Sequence, residues 1–202
     1  MNTKETQTFI DHCNKYFHQV EPQILEPKCE NILRFRMLLY TPSKKYNFWK
    51  LVTLGVSDYK MPRSRTSLGN RNEYVLFIDR SENLFDEDTV QWYIKCLINL
   101  ANPPIVEEYA ISFGHSVEWG EAEDTDMVGA YVEMPQVIEE IKFLQCKLDM
   151  FKKITCLQAV LLTREDMNRL RELGEEKFDY WLYPEDRKHM HFLSERRRSD
   201  KF

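Results

Sequence analysis

Phe48-Trp49-Lys50-Leu51-Val52-Thr53-Leu54-Gly55-Val56-Ser57-Asp58 is the stretch on which the fold turns. Its aromatic, β-branched and aliphatic residues predict a strand over 49–54, and Gly55 frees the backbone just after it. A second stretch, Glu73-Tyr74-Val75-Leu76-Phe77-Ile78, is almost continuously apolar. Such a run suits a strand whose sheet is covered on both faces. Residues 58–72 between them are polar and basic, contain Pro62 and Gly69, and read as a mobile loop.

The same reasoning extends outward in both directions. Phe9, Ile10, Cys13, Tyr16, Phe17 and Val20 fall on one stripe of a 3.6-residue period, which predicts a first helix that Pro22 helps to end. Leu33, Phe35, Met37 and Leu39 alternate with Arg34, Arg36 and Leu38, the pattern of a half-buried strand. Downstream, Asp86 suits an N-cap, with Glu87 and Asp88 favoured by the helix dipole. Val90, Tyr93, Ile94, Leu97, Ile98 and Ala101 form the buried stripe of that helix, and Asn102-Pro103-Pro104 stops it. Strands are expected over 111–117 and 128–133, joined by an acidic loop, and again over 143–148 and 154–162. Thr163 and Asp166 form a capping box with Asp in the place of Glu. Met167 and Leu170 then face inward until Gly174 at the C′ position. Phe178, Trp181 and Leu182 predict a last short helix. Strands outnumber helices without strict alternation, so the expected class is α+β, a mixed β-sheet flanked by helices. No repeat, low-complexity segment or Pro-, Gly- or Ser-rich linker divides the chain. One domain over 1–202 is expected, with a basic tail at 187–202.

Composition narrows the function. Hydrophobic residues make up 43% of the 202 residues and there are only 6 glycines, enough apolar surface for a packed core. The 5 cysteines include no Cys-x-x-Cys pair, so neither a disulfide framework nor a zinc site is expected. Cys13, Cys96, Cys146 and Cys156 sit among apolar residues, as reduced cysteines do. Residues 1–7 are polar, unlike a secretion signal, and no apolar run approaches the roughly 20 residues that span a bilayer. A cytoplasmic location away from membranes is expected. The net charge of −5 argues against nucleic-acid binding, which requires clustered Lys and Arg. Charge is nonetheless uneven. Asp79, Glu82, Asp86, Glu87 and Asp88 form one acidic run and Glu118, Glu121, Glu123, Asp124 and Asp126 another. Positive charge gathers at Lys60, Arg63, Arg65 and Arg71, and in the tail at Arg187, Lys188, Arg196, Arg197, Arg198 and Lys201. Such runs are either solvated loops or a surface that steers a basic partner.

Candidate chemistry is sparse. His115 has Glu118 three residues on and Gly114 beside it, but catalysis or metal binding needs a further converging group. His12 and His18 belong to the first helix, and His189 and His191 form an incidental pair near the end. Gly55-Val56-Ser57-Asp58 lacks the second glycine of a serine nucleophile turn, and no phosphate-binding glycine loop follows. A hydrolase-like site would have to combine His115 and Glu118, with Asp58 as a third member, all within hydrogen-bonding reach. Trp119, at the end of a strand beside the acidic loop, can serve equally as core or as interface anchor.

The order and spacing of Phe48 to Asp58, Glu73 to Ile78, Leu97 to Ala101, Ile111-Ser112-Phe113-Gly114-His115-Ser116-Val117-Glu118-Trp119 and Leu162 to Gly174 resemble the suppressor-of-fused domain family. The resemblance covers residues 46–183. It implies a non-catalytic, cofactor-free protein-binding module. In eukaryotic members a second domain follows, and a transcription-factor peptide lies between the two as an added strand. The matching strand here is 110–118. The chain stops where that second domain would begin, and His115 stands where an acidic residue helps to hold the peptide, so that same peptide is not the expected ligand. Small stand-alone members occur in bacteria and look like immunity proteins that neutralise toxins by direct contact. The resemblance therefore implies a protein partner, either a toxin or an extended peptide segment. It is expected to meet Ser112, His115, Glu118, Trp119, Glu121 and Asp124, with no metal, no nucleic acid and no membrane.

Overall fold

The computed structural model describes residues 1–62, 68–182 and 193–197. Arg63 and Arg65 of the basic loop, the His189 and His191 pair, and Arg187, Lys188, Arg198 and Lys201 of the tail lie outside the described residues.

Helix α1 runs over Thr3–Phe17, opened by an Asn2–Glu5 capping box and closed by His18 in the left-handed conformation. It stops before Pro22, so Val20 falls outside the stripe and is exposed. A short strand absent from the sequence pattern follows, β1 at Gln23–Leu25. Strand β2 is Arg36–Tyr40; it begins later than the alternation from Leu33 predicts, because Arg34 takes φ 52° in a turn closed onto Asn31. Strands β3 (Trp49–Leu54) and β4 (Asn72–Ile78) stand where expected, and every residue of both is buried. Helix α2 (Glu87–Ala101) is capped by Asp86. The two prolines end α2 and then start a one-turn helix of their own, α3 (Pro103–Val106), since proline gives up no needed N–H in a first turn. Strands β5 (Ser116–Glu118) and β6 (Met127–Glu133) flank the acidic loop. The strand expected over 143–148 is split into a 3-10 turn, Ile141–Leu144, and β7, Gln145–Lys147. Strand β8 (Lys153–Thr163) leads into α4 (Arg164–Leu173) through the Thr163–Asp166 capping box, and α5 (Glu175–Leu182) follows Gly174.

The strands form one mixed sheet in the order β1-β2-β3-β4-β8-β6-β5, with β7 also on β8. Pairing is antiparallel except between β4 and β8. The α+β class with a helix-flanked mixed sheet is therefore observed. Alternation along the strands sorts the side chains into two apolar layers. On one face Met37, Leu39, Leu51, Tyr74, Leu76, Leu157, Leu161 and Val132 pack under Tyr93, Ile94 and Leu97 of α2. The other face carries two clusters. Phe9, Cys13 and Phe17 of α1 cover Leu38, Val52, Val75 and Phe77, while Met167, Leu170, Phe178 and Leu182 of α4 and α5 cover Val128, Tyr131, Val160 and Leu162.

Buried polar groups mark the joints. Lys50 is fully buried, and its ammonium donates to Gln19 Oε1 and to the carbonyls of Thr41 and Tyr46 at 2.9–3.1 Å. Burial lowers its pKa to about 8. The buried Glu73 carboxylate accepts from Thr53 Oγ1 (2.6 Å), Gly55 N (2.9 Å) and Ser57 N (3.0 Å). It thereby closes the 3-10 turn Val56–Asp58 that Gly55 opens at φ 116°. Where the two clusters of the second face meet, Glu133 lies opposite Gln158 in the β6–β8 register. Burial and then the Asp179 carboxylate raise the Glu133 pKa, while Asp179 accepts from Tyr131 Oη at 2.7 Å.

A carboxyl whose folded pKa is raised contributes most stability below its unfolded value and loses it as pH climbs through the folded one. Glu133→Gln, which cannot ionise, is expected to raise the thermal midpoint at pH 8 and to flatten its pH dependence above pH 5. Melts of both proteins across pH 5–8 check this; an unchanged slope would place the pH sensitivity elsewhere.

Candidate functional site

The residues singled out in the sequence lie at and beside β5, the strand at one end of the sheet order. Among the described residues strand β5 pairs with β6 alone, Ser116 opposite Tyr131 and Glu118 opposite Gly129. Val132 N donates to His115 O and Trp119 N to Val128 O, so the odd-numbered residues of this segment bond inward. By alternation Ser116 and Glu118 turn their backbone N–H and C=O groups outward, the arrangement of a free sheet edge.

The edge is shorter than the predicted strand over 111–117, and shorter than the 110–118 strand that the resemblance implies. Residues 112–115 form a turn instead: His115 N donates to Ser112 O, Ser112 N donates to His115 Nδ1 at 2.9 Å, and Gly114 sits at φ 83°. Upstream, the Ile111 carbonyl accepts from Asn72 Nδ2 (2.8 Å) and Tyr74 Oη (3.0 Å), which pins the turn onto β4. Ser112 is 0% exposed, so its side chain cannot meet a partner as expected. His115 is half-buried and spends Nδ1 on its own turn, which leaves the proton of the neutral ring on Nε2.

The acidic loop also differs from its reading as a bare anionic surface. Glu118 pairs with both Arg164 and Arg171 of α4, and Arg164 Nε also reaches Glu121 Oε1 at 2.9 Å. Asp124 pairs with Arg196, whose guanidinium lies 5.5 Å from the Trp92 ring. The Arg196 backbone is fastened as well, its N–H to Glu82 Oε1 at 3.0 Å and its carbonyl to Thr125 Oγ1 at 2.7 Å. Next to it, Ser194 bridges Ile78 in parallel beside β4. Part of the expected tail is thus docked. The Arg164 and Arg196 guanidinium groups hydrogen-bonded to Glu118 and Asp124 hold those carboxyls below the usual carboxylate range. Sequence reasoning missed these arginines because their partners lie 43–72 residues away, beyond any local spacing. Trp119 lies half-buried against the main core, so its ring is partly structural.

The candidate hydrolytic groups do not meet. No hydrogen bond or ion pair among the described residues joins any two of His115, Glu118 and Asp58. Asp58 pairs with Lys152 at 3.5 Å and with the Met1 ammonium. Among the described residues no group of three His, Cys, Asp or Glu side chains could hold a metal ion. No helix there is long and apolar enough to cross a membrane.

With an open edge strand, a buried carboxylate turn and a helix-covered mixed sheet in view, comparison with known families is decisive. The family model of the suppressor of fused protein (SUFU) matches residues 27–194. This chain belongs to the suppressor of fused family. The SUFU fold mediates protein–protein interaction in SUFU proteins. Among solved structures, the Sufu–Fu complex is similar with a TM-score of 0.67 and 11% identity, covering 96% of this chain and 91% of that one. A protein described as a SUFU homologue from Neisseria gonorrhoeae FA 1090 has a TM-score of 0.62 at 15% identity, covering 94% and 92%. Drosophila Suppressor of Fused has a TM-score of 0.61 at 12% identity over 89% of this chain but 46% of its own, so the SUFU-like chain spans about half of that protein. At these identities the likeness is one of fold. No curated protein matches in sequence.

Gly129 tests how β5 is held. A Cβ there would stand 2.6 Å from the Val117 carbonyl oxygen and 3.3 Å from Met167 Sδ. Gly129→Ala should push β5 off β6 and destabilise the fold by about 1–3 kcal/mol, the usual range for overpacking. Hydrogen exchange should show faster loss of protection at Val117 and Trp119 than at Leu157; uniform change would mean that β5 is not the yielding element.

Proposed function

We propose that this SUFU-family chain is a non-catalytic protein-binding module that acts by direct contact, an immunity or antitoxin-like protein whose partner is a toxin or an extended segment of one. The observation that carries the reading is the open β5 edge with its outward backbone groups at Ser116 and Glu118, flanked by Trp119 and the Glu121–Asp124 rim. An edge strand offers backbone hydrogen bonds to any extended segment, and the side chains around it set selectivity. The candidate hydrolytic groups favour binding too, since the ionic and hydrogen-bonding partners of His115, Glu118 and Asp58 lie elsewhere. Inhibition by contact needs a complementary surface and no turnover.

The rim is a set of exchangeable ion pairs. Glu121 and Asp124 have side chains 70% and 54% exposed, so a basic partner can compete for them with Arg164 and Arg196. Because exposed pairs contribute only about 0–1 kcal/mol each, reversing both charges should leave folding nearly intact. Trp119 is a poorer probe, since its ring packs on the core.

The test is capture from the native host followed by mass spectrometry, then growth of cells co-expressing the captured protein. Glu121→Lys with Asp124→Lys should lose capture and protection while the thermal midpoint stays nearly unchanged. Undiminished capture and protection by that variant would remove this surface from the interface.

A further inference from the structure

We propose a second docking edge at β1, on the far side of the sheet, for an extended protein segment that carries an aliphatic side chain beside Lys or Arg. Strand β1 pairs with β2 only, so its outer backbone edge is open among the described residues. Beside it runs a groove of about 410 Å³ between β1 and the start of α2. Leu25, Leu84 and Val90 line it, and Ile24 and Phe85 stand at its lips, 45% and 71% exposed. Phe85 is held in place edge-on against Trp49, ring centroids 5.0 Å apart.

The wall is built rather than slack. Lys28 N donates to Gln91 Oε1 at 3.0 Å, Gln91 Nε2 donates to the Glu26 carbonyl at 3.3 Å, and Lys28 pairs with Glu87. These contacts fasten the chain after β1 to α2, so a ligand meets a groove already formed and little ordering cost remains. An apolar groove alongside an open edge suits an extended segment, which adds backbone hydrogen bonds and drops alternate side chains inward.

Charge selects the occupant. Glu21, Glu26 and Glu30 are exposed on the segment that carries β1, and among the described residues none has an ion-pair partner, whereas Lys28 is already paired. This is the reverse of the β5 edge, where arginines of the same chain neutralise the carboxylates. Unpaired carboxylates beside an aliphatic groove favour a basic, apolar segment. They also oppose a second copy of this chain, because pairing β1 with β1 would bring like charges together.

The test uses isotope-labelled protein and a labelled Lys-Val-Lys-Leu-Lys-Val-Lys peptide. Saturable amide shifts are expected at residues 23–26 and 84–91. N-methylation of alternate peptide residues, or replacement of its lysines by glutamate, should weaken binding about tenfold or more by removing strand hydrogen bonds or charge complementarity. Glu26→Lys and Phe85→Ser should each weaken it at least about fivefold. Equal binding of the N-methylated peptide would reduce the contact to diffuse charge attraction and overturn the proposal. So would the absence of saturable shifts, or self-association of the protein through β1. Shifts confined to residues 116–126 would overturn it too while supporting the β5 reading, which stands or falls by its own capture experiment.

Discussion

The parallel pairing of β4 with β8 is the constraint on which the rest of the structure depends. It joins the antiparallel run β1 to β4 to the separate group β8, β6 and β5, and among the described residues it is the only parallel pairing of two strands, the Ile78–Ser194 contact being a single bridge. Strand β8 has β4 on one edge and β6 with β7 on the other. Its backbone hydrogen bonds contribute about 1 kcal/mol each, net of water, whereas each fully buried Leu, Ile or Val contributes about 1.5–3 kcal/mol. Ile154, Leu157, Val160, Leu161 and Leu162 are all buried, so packing against helices on both faces outweighs the ladder itself. With the centre closed in this way, β1 and β5 stand at the two ends of the strand order among the described residues, and short β7 lies off that path on β8.

What could be read from the sequence was the part governed by local periodicity. Trp49–Leu54 is a mostly apolar run, and α2, with its Asp86 cap, repeats its apolar residues at the helical period. The Thr163–Asp166 box was legible because its two partners are three residues apart. Residues 111–117 misled for a physical reason. Their apolar pattern suits a strand, but Gly114 and the His115 ring offer the backbone a turn that satisfies the Ser112 N–H locally, and the local turn wins. Strand β1 was invisible because three residues carry no period, and its existence depends on Leu39, Leu38 and Met37 of β2.

The candidate site was legible in its place and illegible in its charge. Glu118, Glu121 and Asp124 stand at and just beyond β5, the strand at one end of the sheet order. What no spacing could show is that Arg164, Arg171 and Arg196 converge on them from α4 and from beyond α5. Buried Lys50, Glu73 and Glu133 are the same kind of omission. Each looks like a surface residue in the sequence, yet Lys50 is met by Gln19 and Glu73 by Thr53, 31 and 20 residues away, while Glu133 is buried with its neighbours Met134 and Gln136 donating to it.

The two edges differ in what charge can do for them. At β5 a cationic partner must displace a guanidinium before it gains a carboxylate, so one pair is broken for each pair made and the net Coulomb term is small. Affinity there has to come from backbone pairing and from apolar contact near Trp119, with charge deciding which partners are tolerated. At β1 the carboxylates of Glu21, Glu26 and Glu30 have no ion-pair partner among the described residues, so on the second proposal attraction acts at a distance and accelerates encounter. On the two proposals one edge discriminates and the other recruits, and the strand order places β1 and β5 at opposite ends of the sheet.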